Sequence, residues 1–147
     1  MNRQRGDQSP SVQPISADDL KKIMTEESAE AIQLLIKKAD ELGKGLSGKL
    51  TTSQIRNIFG EVRSIEQEVG LEEETLPLNV QRRLLMLKPK MAYQIGRFSN
   101  NNALRALVDT LSRAIDLIGN DVRRFHTFVD LFEAILAYHR CYGGKTS

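Results

Sequence analysis

The chain has 147 residues, 40% of them hydrophobic and 27% charged, with a net charge of +2; this fits one globular domain and excludes a histone-like polycation. A lone cysteine, Cys141, excludes an intrachain disulfide and fits a reducing, cytoplasmic compartment. No apolar run approaches the ~18 residues that cross a bilayer, and the polar N-terminus lacks the apolar core of a signal peptide.

Residues 1–15 are polar and carry Pro10 and Pro14, so composition predicts a disordered tail. A single helical domain is expected over residues 16–142, with a flexible tail over 143–147. Ser16 before Ala-Asp-Asp predicts a capped short helix to about Met24. Thr25 is a second candidate cap, followed by Glu26, Glu27 and Glu30. Ile32, Leu35, Ile36, Ala39 and Leu42 then repeat at helical spacing, and Gly43, Gly45 and Gly48 are expected to end that helix.

Thr51 and Gln54 have capping-box spacing. Ile55, Ile58, Phe59, Val62, Ile65 and Val69 form the stripe behind them, with Gly70 at the end and an acidic turn at Glu72, Glu73 and Glu74. Pro77 suits a helix start. Apolar residues from Val80 to Leu87 cover most of a helix circumference, which predicts a central helix carrying Arg82 and Arg83. Pro89 predicts a break or sharp kink, then a short helix to about Phe98. On that short helix Lys90, Tyr93, Gln94 and Arg97 share one face, and Met91, Ile95 and Phe98 another.

The polar run Ser99 to Asn102 reads as a turn. Leu104, Leu107, Leu111, Ile115 and Ile118 mark a helix ending at Gly119. Asn120 or Asp121 caps the last helix, striped by Val122, Phe125, Val129, Phe132, Ile135 and Leu136. No stretch alternates at period two for long enough to make a strand. The expected fold is all-α, a compact bundle of five to six helices with short loops.

Catalytic chemistry finds little to work with. The metal-ligand inventory beyond carboxylates is His126, His139 and Cys141, and the last two point to different sides of a helix. No nucleophile elbow or Walker loop occurs. No catalytic residue, metal or cofactor is predicted.

Charge placement is more informative than net charge. No Asp or Glu occurs between Thr75 and Val108, while Arg82, Arg83, Lys88, Lys90, Arg97 and Arg105 do. A second acid-free window, from Leu42 to Gly60, holds Lys44, Lys49 and Arg56. Packed side by side, the two windows would form one positive surface for a polyanion. Cations would meet phosphates, and Tyr93 and Gln94 could add stacking or a ribose contact.

Two segments carry a family resemblance: LTTSQIRNIFGEV at residues 50–62 and LKPKMAYQIGR at residues 87–97. The last helix adds FVDLFEAI at residues 128–135 and Tyr138-His139-Arg140. In this order they resemble the small helical subunit of the type III-A CRISPR–Cas effector, the Csm complex, over about residues 25–142. The resemblance implies a non-catalytic subunit, present in several copies as the minor filament. It would touch the backbone of crRNA and target RNA and contact other Csm subunits. It also places the RNA-binding bets on Arg56, Lys88, Lys90 and Arg97, followed by Lys49, Arg82 and Arg83, with Tyr93 and Gln94 added from helical spacing. Met91 stands where such proteins often have Leu. The competing readings are a purely structural assembly module and the equivalent subunit of a Cmr-type complex.

Overall fold

Six helices follow one another in the computed structural model, which describes residues 12–70, 73–97 and 102–144. They are α1 (Ala17–Thr25), α2 (Ala29–Leu46), α3 (Thr52–Glu66), α4 (Leu78–Arg97), α5 (Asn102–Ile118) and α6 (Val122–Cys141). Among the described residues the β pairing is one isolated bridge between Thr75 and Asp121. The all-α expectation therefore holds.

Local chemistry sets most helix starts. The Ser16 hydroxyl accepts the Asp19 amide and so caps α1. Thr51 and Gln54 satisfy each other's backbone amides as a capping box at α3. Asp121 caps α6 through the Arg124 amide. At α2 the cap is Ser28, which accepts the Ala31 amide. Thr25, expected there, instead closes α1, where its hydroxyl donates to the Lys21 carbonyl.

α6 is the hub and meets every helix except α4. Phe125, Phe128 and Phe132 on it are fully buried, and Phe132 meets Phe59 of α3 edge-on at 5.0 Å between centroids. The sequence pointed to the 80–87 segment as central. Instead α4 touches only α3 and α5. It buries Val80, Leu84, Leu87 and Met91, whereas Leu85 is 53% and Met86 49% exposed. Apolar residues surround α4, but it has neighbours on only one side.

Pro89 does not break this helix. α4 runs through it, because Leu84 and Leu87 before it and Met91 after it face the same core. Proline's fixed φ is compatible with the helix. Its missing amide orphans the Leu85 carbonyl on the exposed side, where water can solvate it.

Gly43 also departs from expectation, since α2 continues through it to Leu46. A Cβ at this position would lie 2.7 Å from Tyr138 Cβ and 2.9 Å from the His139 amide nitrogen. Gly43 thus lets α2 and α6 approach closely. The two run parallel: Glu27 pairs with Arg123 at one end, and Asp40 accepts from the Tyr142 hydroxyl at 2.5 Å toward the other. On α2, Leu35, Ala39 and Leu42 are buried as expected, but Ile32 and Ile36 are 62% and 47% exposed.

Two ends of the chain join the core. Ile15, which composition assigned to the tail, is 4% exposed, and its amide donates to Thr110 Oγ1 at 3.1 Å. His139 is buried; its Nε2 lies 2.8 Å from the Leu50 carbonyl, tying the end of α6 to the start of α3. Gly144 packs on the His139 ring. The predicted tail over residues 1–11, Glu72, Phe98 and residues 99–101 and 145–147 lie outside the described residues.

Candidate nucleic-acid interface

α3 and α4 pack antiparallel, and three polar rungs set their register. Glu68 accepts from Asn79, Ser64 from Arg83, and Glu61 from Lys90. This places the N-terminal half of α3 beside the C-terminal half of α4. The two acid-free windows are therefore neighbours in space.

Between these halves lies a cleft of about 510 Å³. Asn57, Ile58 and Glu61 line it from α3; Met86, Pro89, Lys90, Met91, Tyr93 and Gln94 are among its α4 residues. The two predicted faces of the C-terminal part of α4 separate as expected. Met91 is buried and Ile95 partly so, whereas Tyr93 is 68% exposed and Lys90 and Arg97 also face solvent.

The predicted residues do not form one uniform patch. Lys90, Tyr93 and Gln94 line the cleft. Arg83 stands on its edge, paired with Glu68 and 3.5 Å from Glu61. Arg82 and Arg56 are exposed and make no ion pair among the described residues. Arg56 adjoins Asn57 in sequence but is turned about 100° away around α3. Lys88 is on the opposite flank of α4, 2.7 Å from Asp116 of α5. Lys49 lines a separate groove with Val12, Asp19, Lys38 and Glu41. There the Lys38 ammonium is held above its ordinary pKa by its hydrogen bond to Glu41, with Asp19 adding to the effect.

The acid-free window is thus not acid-free in three dimensions. Glu61 comes from α3, Glu68 from the turn just after it, and Asp116 from α5. All four pairs lie at the surface, a setting where an ion pair contributes about 0–1 kcal/mol, so these cations can exchange a carboxylate for a phosphate at small cost. Sequence reasoning missed Asn57, Glu61, Met86 and Pro89 as parts of this surface. Only Glu61 had a signal, as the first acid after the Leu42–Gly60 window.

Other chemistry is sparse. Among the described residues no three His, Cys, Asp or Glu side chains gather as a metal site would need. His139 is committed to the Leu50 carbonyl. No helix among the described residues is long and apolar enough to cross a membrane.

Comparison with known proteins adds one finding. A protein-family model described as Csm2 Type III-A matches residues 29–145. No curated protein matches the chain.

Proposed function

The chain belongs to the Csm2 Type III-A family and is a small subunit of the type III-A CRISPR–Cas (Csm) complex; from that premise we propose that it is a non-catalytic, RNA-contacting member of the complex's minor filament. In this reading several copies line up along the crRNA–target RNA duplex in the cytoplasm. Base pairing reads the sequence, and this subunit touches the backbone.

The antiparallel packing of α3 and α4 carries the reading. It sets Lys90, Tyr93 and Gln94 in one cleft, with Arg83 on its edge and Arg82, Arg97 and Arg56 on the surrounding surface. Lys88 and Lys49 would meet RNA only if it wrapped past the edges of this surface. UV crosslinking of the assembled complex, with crosslinked peptides mapped by mass spectrometry, tests the assignment. Crosslinks within residues 82–97 are expected. Crosslinks confined to other subunits would overturn it.

A second reading, a pure assembly module, is favoured by a different observation. Leu78 and Leu85, seven residues apart, are exposed along one side of α4, and Ile32 and Ile36 along α2. Such apolar faces suit contacts with further copies or other Csm subunits. Under this reading Leu78→Ser with Leu85→Ser disrupts assembly, and Lys90→Ala with Arg97→Ala leaves RNA binding by the complex unchanged.

A further inference from the structure

The α3–α4 cleft has a chemistry that a phosphate backbone alone does not require. Its floor is apolar, formed by Ile58, Leu87 and Met91, with Met86 and Pro89 beside them. The amides of Asn57 and Gln94 also line it, and the Tyr93 ring stands open to solvent. At about 510 Å³ the cleft falls within the ~300–1,000 Å³ typical of small-ligand sites.

Its charge selects among occupants. Glu61 is the lone carboxylate among the lining residues, and it faces two cations, Lys90 at 3.3 Å and Arg83 at 3.5 Å. Because Arg83 also pairs with Glu68, these two cations are balanced by two acids; the positive excess comes from Arg82, one turn before Met86 on α4, and Arg56 beside Asn57, both exposed and without an ion pair among the described residues. An apolar protein side chain would need only the floor. A nucleotide uses the floor for its base, the amides for its edge and the cationic surplus for its phosphate. Each amide both donates and accepts, so it can meet the edge of any base.

We infer that this cleft takes one unpaired nucleotide of a bound RNA, its base against the apolar floor and Tyr93 and its phosphate at Lys90. The inference rests on the proposed RNA contact and names what the α3–α4 surface recognises. A perfect duplex keeps its base faces stacked inside, so the occupant must be a bulged, flipped or single-stranded residue.

Fluorescence anisotropy with the full-length protein tests this on three labelled RNAs at one salt concentration. They are a perfect duplex, the same duplex with a one-nucleotide bulge, and that bulge made abasic. The bulged duplex should bind about five- to a hundredfold more tightly than the other two, the range for one base stacked on an aromatic ring. Tyr93→Ala, and separately Asn57→Ala with Gln94→Ala, should bring that ratio close to one. Equal affinity for bulged and abasic probes overturns the inference, as does a preference that survives both variants. If all three probes bind alike and Lys90→Ala with Arg97→Ala weakens them together, the nucleotide site fails while the backbone contact stands. If no probe binds, both fail. If Tyr93→Ala instead releases a protein subunit and leaves the RNA ratios intact, the cleft holds a protein side chain and the inference is wrong.

Discussion

Lys90 and Glu61 are 29 positions apart and form an ion pair across α3 and α4, with Nζ 3.3 Å from the carboxylate. Arg83 reaches the same carboxylate oxygen at 3.5 Å and also pairs with Glu68. One acid therefore restrains two of the cations offered to RNA.

Removing that acid should strengthen RNA binding. Glu61→Gln releases Lys90, leaves Arg83 to Glu68 alone, and deletes a charge that repels phosphate. Affinity should rise about two- to fivefold at low salt, since exposed pairs contribute up to about 1 kcal/mol. The gain should fade as salt screens the surface. Anisotropy titrations across a salt series measure it; unchanged or weaker binding at low salt would place the RNA elsewhere.

Gly43 and Gly60 both sit inside helices but should respond oppositely to alanine. At Gly43 a Cβ meets Tyr138 Cβ at 2.7 Å, the His139 nitrogen at 2.9 Å and the Ile135 carbonyl oxygen at 3.0 Å. Two of these are backbone atoms of a buried helix, so Gly43→Ala should cost about 1–3 kcal/mol through overpacking. A Cβ at Gly60 meets nothing within 4 Å, and Gly60→Ala should gain about 0.4–1 kcal/mol. Urea denaturation of both variants reads the contrast.

Pro89→Ala should stabilise the fold. It restores an amide to the interior of α4, and the exposed ring gives up little packing. Interior proline costs about 3 kcal/mol against alanine in a host helix, and solvation of the Leu85 carbonyl offsets part of that. A gain of about 1–3 kcal/mol in chemical denaturation is expected. No gain would show that α4 has adapted its backbone to the proline.

Asp130 supplies a pH test. Partial withdrawal from water, with Glu133 next in effect and a smaller contribution from Glu66, holds its carboxyl above the ordinary value of 3.8, while His126 pulls the other way. A raised carboxylate pKa means the folded state binds the proton more tightly than the unfolded state. The ionised group therefore destabilises the fold at neutral pH, and the penalty disappears as pH falls through the raised value toward 3.8. Asp130→Asn should be more stable than the parent at neutral pH, with the difference closing as the medium is acidified. Thermal melts over a pH series check the sign; a constant difference would assign the effect to packing.

Much of the fold was legible because local rules set it. Ser16, the Thr51–Gln54 box and Asp121 cap where their spacing says, since each satisfies amides within one turn. The α5 stripe from Leu104 to Ile118 is buried throughout. The failures share one cause. Gly43 and Pro89 carry strong local signals for an ending, and tertiary packing overrode both. The apolar surround of α4 pointed to burial, but among the described helices only α3 and α5 pack on it, and Leu85 and Met86 stay exposed.

The sequence by itself determined an all-α chain, most of its caps and core stripes, and the location of its acid-free windows. These depend on contacts a few residues apart and on the helical period. Tertiary structure decided which helix became the hub and which cations share a surface. It also decided that Glu61, Glu68 and Asp116 enter a region the sequence shows without acids. Electrostatic interaction depends on distance through space rather than along the chain, so a charge window in a sequence acquires its sign only after its neighbours have packed.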